Sequence, residues 1–311
     1  MQRAFSRFAV VLFLAATPAM AEDFPAWAYP VVPPSPVFDS VTSKSMPGSD
    51  RQYTEAQIED DYNPPDWFPQ DHPPMPKVVA HGTPPAVRAC SKCHVPNGAG
   101  HPESSDLAGL SANYITAVMS DYKGNNRKGI RNGTMIPIAK QTTDAEIAEA
   151  AAYFASLKPI EWTKVVETDM VATSAVGLGG MRMATADGGQ EPISGRIIEL
   201  PVAPERMAMR DSRTGFIAYV PKGSVARGEA LVKGEGGKTL ACAGCHGADL
   251  RGLADVPHIT GRSPMYVFRQ LNDLKLGQRT GPSAETMRPV VANLSQDDMV
   301  AIAAYLANRG R

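Results

Sequence analysis

Two five-residue runs carry the chemistry of this chain: Cys90-Ser91-Lys92-Cys93-His94 and Cys242-Ala243-Gly244-Cys245-His246. In each, two cysteines three positions apart are followed at once by histidine, the attachment pattern of a c-type haem. The thiols add across the haem vinyl groups as thioethers, and the histidine is then held against the iron. The runs consume all four cysteines of the chain, so no thiol remains for a disulfide, a nucleophile or a thiolate ligand. A Cys-four zinc site is the competing chemistry. Such sites place their pairs about 15–20 residues apart, whereas 152 residues separate these two.

Each iron needs two axial ligands. His94 and His246 supply one apiece. Met135 and Met287 are the candidates for the other, because each lies 41 residues after its histidine in a segment that reads as a loop before a closing helix. Thioether sulfur favours ferrous iron, so His/Met ligation raises the potential and closes the iron to other ligands. The alternative for these methionines is plain packing. Met119 and Met265 break the repeat register and are weaker candidates, and Met299 reads as core. His72, His81, His101 and His258 read as surface or haem-edge residues, with alternative ligation as the sharper possibility. Tyr114, Tyr266, Arg127 and Arg279 occupy matched positions and are the expected further haem contacts. Lys123 and Lys275 are additional candidates for neutralising propionates, against a solvated charged face. The Pro257 carbonyl is placed to accept the His246 ring N–H and fix its tautomer. Its counterpart is Ser105, so this feature reads as private to the second site.

An internal repeat positions these residues. A shift of 152 overlays Cys90, Cys93 and His94 on Cys242, Cys245 and His246 without a gap. The same shift overlays Gly109, Ser111 and Tyr114 on Gly261, Ser263 and Tyr266, and Met135 and Pro137 on Met287 and Pro289. Tyr114, Ile115, Val118, Met119 and Tyr122 recur on one helical face, as do Tyr266, Val267, Leu271 and Leu274. Closing helices begin at Thr143 with Glu146 and at Ser295 with Asp298, both in capping arrangements. The expected architecture is all-α: a first haem module at 78–158 and a second at 224–311. A proline-rich extended arm at 22–77 precedes them, read as wrapping over a folded domain rather than as a disordered tether. A linker at 159–223 joins them, with short strands near 197–200 and 216–220 and a small hairpin. Its methionines, Met170, Met181, Met183, Met207 and Met209, read as soft packing rather than as a copper(I) site.

Residues 1–21 have the form of a secretory signal: Arg3 and Arg7, an apolar stretch over 8–16, and Ala19-Met20-Ala21 as the cleavage site. Cleavage after Ala21 would leave a periplasmic protein with no membrane span, since nine apolar residues are too few to cross a bilayer; an uncleaved anchor is the alternative. A net charge of −1 and the lack of a basic run argue against nucleic acid as partner.

On these residues the chain resembles the tandem di-haem class I cytochromes c, and within them the cytochrome c-four group. The second module carries the resemblance in Cys242–His246, Thr260-Gly261, Pro264, Tyr266, Gly277, Arg279, Met287-Arg288-Pro289 and Ser295–Met299; the first matches more loosely. The resemblance implies two covalently bound haem c groups with His/Met ligation, related by a pseudo-twofold axis. It further implies periplasmic electron transfer towards a terminal oxidase; the other redox partners expected are a membrane cytochrome complex or a periplasmic dehydrogenase, for which the arm and the linker would form a docking surface. The arm and the linker are departures from the group. A di-haem enzyme, peroxidase-like or sulfur-compound oxidising, is the second reading, and it requires one iron with an open position.

Overall fold

The computed structural model describes residues 24–129 and 133–310. The segment read as a secretory signal lies outside the described residues.

The arm region contains β1 (Ser43–Ser45), β2 (Gln52–Thr54), α1 (Glu55–Ile58) and α2 (Lys77–Ala80). The first module contributes α3 (Cys90–His94), α4 (Ala112–Lys123), α5 (Met135–Gln141) and α6 (Asp144–Ser156). The insert holds β3 (Thr163–Thr168), β4 (Met170–Ala172), β5 (Ser174–Val176), β6 (Arg182–Ala184), β7 (Gln190–Pro192), β8 (Ile198–Pro201), α7 (Pro204–Ala208) and β9 (Phe216–Pro221). The second module adds α8 (Ser224–Val232), α9 (Ala243–His246), α10 (Pro264–Lys275), α11 (Pro282–Val291) and α12 (Gln296–Asn308).

The all-α expectation is corrected by the insert. It is built of strands: β9 is central in a three-stranded sheet, parallel to β3 and antiparallel to β8, and β4–β7 and β5–β6 form two-stranded antiparallel pairs. Four of these strands are only three residues long, too short for alternation to show in sequence.

Within the modules the repeat is expressed in hydrogen bonds. The Ser111 and Ser263 hydroxyls cap α4 and α10, accepting from the Tyr114 and Tyr266 N–H groups. Capping boxes open α6 (Thr143, Glu146) and α12 (Ser295, Asp298). The Gly109 N–H donates to the Phe154 carbonyl, and the Gly261 N–H to the Leu306 carbonyl, so each closing helix is tied to the same loop. The modules differ at their entrances. In the second, α8 packs on α12 so closely that a Cβ on Gly228 would lie 2.0 Å from the Ala301 carbonyl oxygen. The position equivalent to Gly228 is Pro76, and with Pro73 and Pro74 it leaves α2 only four residues.

The arm is a strap across both modules. Trp27 packs against Phe268, and Ala28 and Tyr29 lie in the second module's core. Further on, Val32, Ser35 and Phe38 border a cavity of the first module. Met46, Ile58, Trp67 and Phe68 then form an apolar cluster. The Trp67 indole donates to the Met209 carbonyl (2.7 Å), and Arg213 stacks on Phe68 at 3.7 Å while pairing with Asp71. His72 and His81 are absorbed here, bonded to Asp66 and Asn63.

Candidate functional site

Both attachment runs form a short helical turn that ends at the histidine. His94 Nδ1 donates to the Ser105 carbonyl at 2.7 Å, and His246 Nδ1 donates to the Pro257 carbonyl at 2.8 Å. This corrects the expectation that the second site alone has this bond. The acceptor is a backbone oxygen, so serine serves as well as proline. Bonding at Nδ1 fixes the tautomer and leaves Nε2 as the nitrogen with a lone pair available to a metal. Burial lowers the pKa of both rings, which keeps them in the neutral, metal-binding form. The surrounding loop repeats too: Gly100 and Gly252 N–H groups donate to the His94 and His246 carbonyls, and the bridges His101–Ser104 and Leu253–Val256 share one register.

In the first module Cys93, His94, Tyr114, Arg127 and Met135 line one cavity of about 750 Å³, within the range of about 300–1,000 Å³ that cofactor sites occupy. The predicted face of α4 forms one wall through Ile115, Val118, Met119 and Tyr122. Cys90 packs beside the adjacent core. Met135 is the first residue of α5 rather than a loop residue, and Met287 lies inside α11. Pro137 and Pro289 suggested loops, but proline is tolerated in the first turn of a helix, and Pro289 stands near the end of α11. Met287 is half-buried, and with Cys242 and Tyr266 it packs on the second module's core, while Cys245 is exposed and His246 buried.

Tyr266 belongs to the second module yet lines the first module's cavity, as do Arg269, Gln270 and Asp273. The reason is the seam. Arg127 pairs antiparallel with its own repeat counterpart, Arg279. Lys128 N–H donates to the Gln278 carbonyl, and Thr280 N–H donates to the Asn126 carbonyl, both at 2.7 Å. These two bonds are exchanged by the 152-residue shift, which is the signature of a two-fold contact. Arg127 Nη2 donates to Tyr266 Oη and Gln270 Oε1, and Arg279 Nη1 to the same Gln270 oxygen. Nearby, Arg262 pairs with Asp106 and donates to the Ser105 hydroxyl.

Arg127, Arg262 and Arg269 are all buried. Burial alone would raise the Tyr266 phenol, yet the Arg127 and Arg262 charges draw it down to about 8. Arg127 Nε is a buried donor with no hydrogen-bond partner among the described residues. Arg262 and Arg269 are matched by Asp106 and Glu103, but Arg127 is in no ion pair among the described residues, and its charge and unused donor beside a cofactor-sized cavity fit a group that carries carboxylates, as haem does through its propionates. The lysines do not join this cluster: Lys123 pairs with Asp144 and Lys275 donates to the Leu294 carbonyl. Among the described residues no three His, Cys, Asp or Glu side chains gather as metal ligands, so the two Cys pairs do not combine as a zinc site would require.

The contributions that sequence reading missed are Ser105, Gln270, Arg262 and Arg269. Arg262 follows Gly261 in the matched segment, but its counterpart is Leu110, so repeat register gave no signal.

Both modules have counterparts among known proteins. The family model described as cytochrome c matches residues 80–158 and 225–309, together more than half of the chain. The cytochrome c4 of Azotobacter vinelandii is 26% identical over 227 residues, covering 70% of this chain and 82% of that protein. A thiosulfate dehydrogenase electron acceptor of Stutzerimonas stutzeri (strain A1501) is 24% identical over 233 residues, covering 74% and 83%. Among solved structures, an Acidithiobacillus ferrooxidans cytochrome c4 covers 70% of this chain and 97% of its own at 20% identity, with a TM-score of 0.48.

Proposed function

Since the chain belongs to the cytochrome c family and carries two covalently bound haem c groups, we propose that it is a periplasmic two-centre electron carrier in which both irons are closed by His/Met pairs. When bound, haem c supplies a reversible one-electron couple. Cys90 and Cys93 tether the first group and Cys242 and Cys245 the second. His94 with Met135, and His246 with Met287, would hold the two irons. Arg127 and Arg279, with Tyr114 and Tyr266 beside them, hold the propionate edges and bring the two centres together at the seam.

The observation that carries this reading is the doubled histidine–carbonyl bond, made in the same register at both sites. A protein that reserved one iron for catalysis would have reason to build its two histidine environments differently. The form of residues 1–21 supports export, and the two-fold seam supports transfer between modules. Relatives named as thiosulfate dehydrogenase electron acceptors favour a periplasmic dehydrogenase as donor over other partners.

An optical redox titration with carbon monoxide added at the reduced end tests the proposal. Two low-spin centres, each with a methionine-to-iron charge-transfer band and neither binding the gas, are expected. A centre that lacks the band and takes up carbon monoxide would replace this reading with the di-haem enzyme.

A further inference from the structure

Because the modules repeat, each position in one is a control for the other. Around the second attachment run the surface is open. Leu240, Ala241, Ala243 and Gly244 are exposed, as are Leu253 and Val256 in the loop behind His246, where Val256 borders a cleft against the first module. Leu240 and Leu253 are each 61% exposed. Exposed charges in 233–256 balance: Lys233, Lys238 and Arg251 against Glu235, Asp249 and Asp255.

Around the first run the surface is covered at the run itself, while the counterpart of Leu240 is a charged residue, Arg88, which stays exposed. Ala89, Ser91 and Lys92, the counterparts of Ala241, Ala243 and Gly244, are buried. The cover is made by the chain's own arm and insert. Ala89 N–H donates to the Asp61 carbonyl at 2.9 Å. Lys92 Nζ pairs with Glu59 at 2.9 Å, both side chains being largely buried. Arg210 of the insert locks this arrangement, donating to the Lys92 carbonyl (2.6 Å), the Ile58 carbonyl (3.0 Å) and Glu59 (2.7 Å).

Resting on the electron-carrier reading, we propose that the partner protein meets only the second haem, docking on the open face of Leu240, Ala243, Gly244, Leu253 and Val256. At the first haem the arm and the insert cover the counterparts of Ala243 and Gly244 and the counterpart of Leu240 is the charged Arg88, so no equivalent apolar face is offered there and that haem exchanges electrons only through the seam. The partner is a one-electron redox protein with an apolar, charge-balanced docking face, because the surface offers exposed leucines and no net field to steer a charged one. One electron passes between the second haem and the partner's centre, with no bond made or broken, and the first haem equilibrates with the second.

The test is stopped-flow oxidation of the reduced holoprotein by azurin as a protein-sized acceptor and by benzoquinone as a small uncharged one. The variant L240N/L253N should slow azurin about tenfold, the scale of a lost docking anchor, and leave the benzoquinone rate within about twofold. An azurin rate unchanged in that variant would overturn the proposal. In the native protein the azurin rate should vary less than about threefold between low and high salt, and a steep salt dependence would exclude an apolar docking face. E59A/R210A, which removes the lock on the first run, should add a second, faster azurin phase; a single unchanged phase would count against the cover. If benzoquinone fails to withdraw two electrons per chain from the native protein, it is the carrier reading that fails.

Discussion

Glu199 is a residue at which burial and bonding are out of balance. It sits on β8, 2% exposed, with Oε1 accepting from the Ser263 hydroxyl (2.6 Å) and the Met265 N–H (2.8 Å). Oε2 is buried with no hydrogen-bond partner among the described residues. Desolvation outweighs these bonds and the nearby Arg269, and with Glu103 adding repulsion the carboxyl titrates at about 7 rather than 4.5. A folded-state pKa above the unfolded one means the folded protein holds its proton more tightly. The stabilisation is therefore complete below pH 4.5 and is lost as pH rises towards 7. Glu199→Gln keeps the acceptor for Ser263 and removes the charge. It should raise the melting temperature at pH 8, by an amount equivalent to roughly 1–3 kcal/mol, and leave it unchanged at pH 4.5. Equal effects at both pH values in thermal scans would show that the carboxylate charge is not the source. The methionines give a second prediction at this scale. Met287→Ala should let the second centre bind carbon monoxide and should remove one methionine charge-transfer band, while Met135→Ala does the same at the first; a band unchanged in either variant would exclude that residue as ligand.

Among the elements, those with local signals were legible and those made by distant pairing were not. The helix starts at Thr143 and Ser295 could be read because capping needs only residues three apart. The attachment runs were legible for the same reason, and the apolar face of α4 emerged as the cavity wall. In the insert, the strands read near 197–200 and 216–220 are β8 and β9, but the rest was not legible, because β3 pairs with β9 in parallel across about fifty intervening residues and the β4–β7 and β5–β6 pairs are only three residues long. The Ser105 bond was misjudged for a different reason: side-chain identity was used to judge a bond made by the backbone. Element packing also supplies a test. α8 and α12 cross at Gly228, where a methyl group would stand 2.0 Å from the Ala301 oxygen. That oxygen belongs to a helix backbone and cannot turn aside, so the helices must part. Gly228→Ala should cost about 1–3 kcal/mol or more, read as a lower denaturant midpoint. The same change at an open helical position would stabilise, but the gain in helix propensity, about 1 kcal/mol, is smaller than the clash.

At the scale of the molecule, one guanidinium joins the three parts that a single module would not need to join. Arg269 projects from α10 of the second module and is 4% exposed. It donates to the Ala28 carbonyl of the arm, to the Pro102 carbonyl of the first module (3.0 Å) and to the Glu103 carboxylate (2.8 Å). The two-fold contact at Arg127 and Arg279 joins module to module, and the start of the strap is held on the second module by Arg269 together with Tyr29, whose hydroxyl receives the Asn272 side-chain N–H at 3.0 Å. Replacing Arg269 by leucine strips a buried carboxylate of its cation, a loss on the order of 3–5 kcal/mol, and frees two carbonyls at once. The expected outcome is a lower melting temperature and a split of the unfolding curve into two transitions, because the modules lose a shared constraint while each keeps its own core. Adding Glu103→Gln to Arg269→Leu should restore part of the loss by neutralising the stranded charge, and a double-mutant cycle would measure that coupling. If the single variant melted in one transition at the native temperature, the strap would be an ornament on two modules already locked at their seam. If it splits, the cover on the first attachment run is itself conditional on the strap, and the route by which electrons enter the molecule is set by how the arm is tied down.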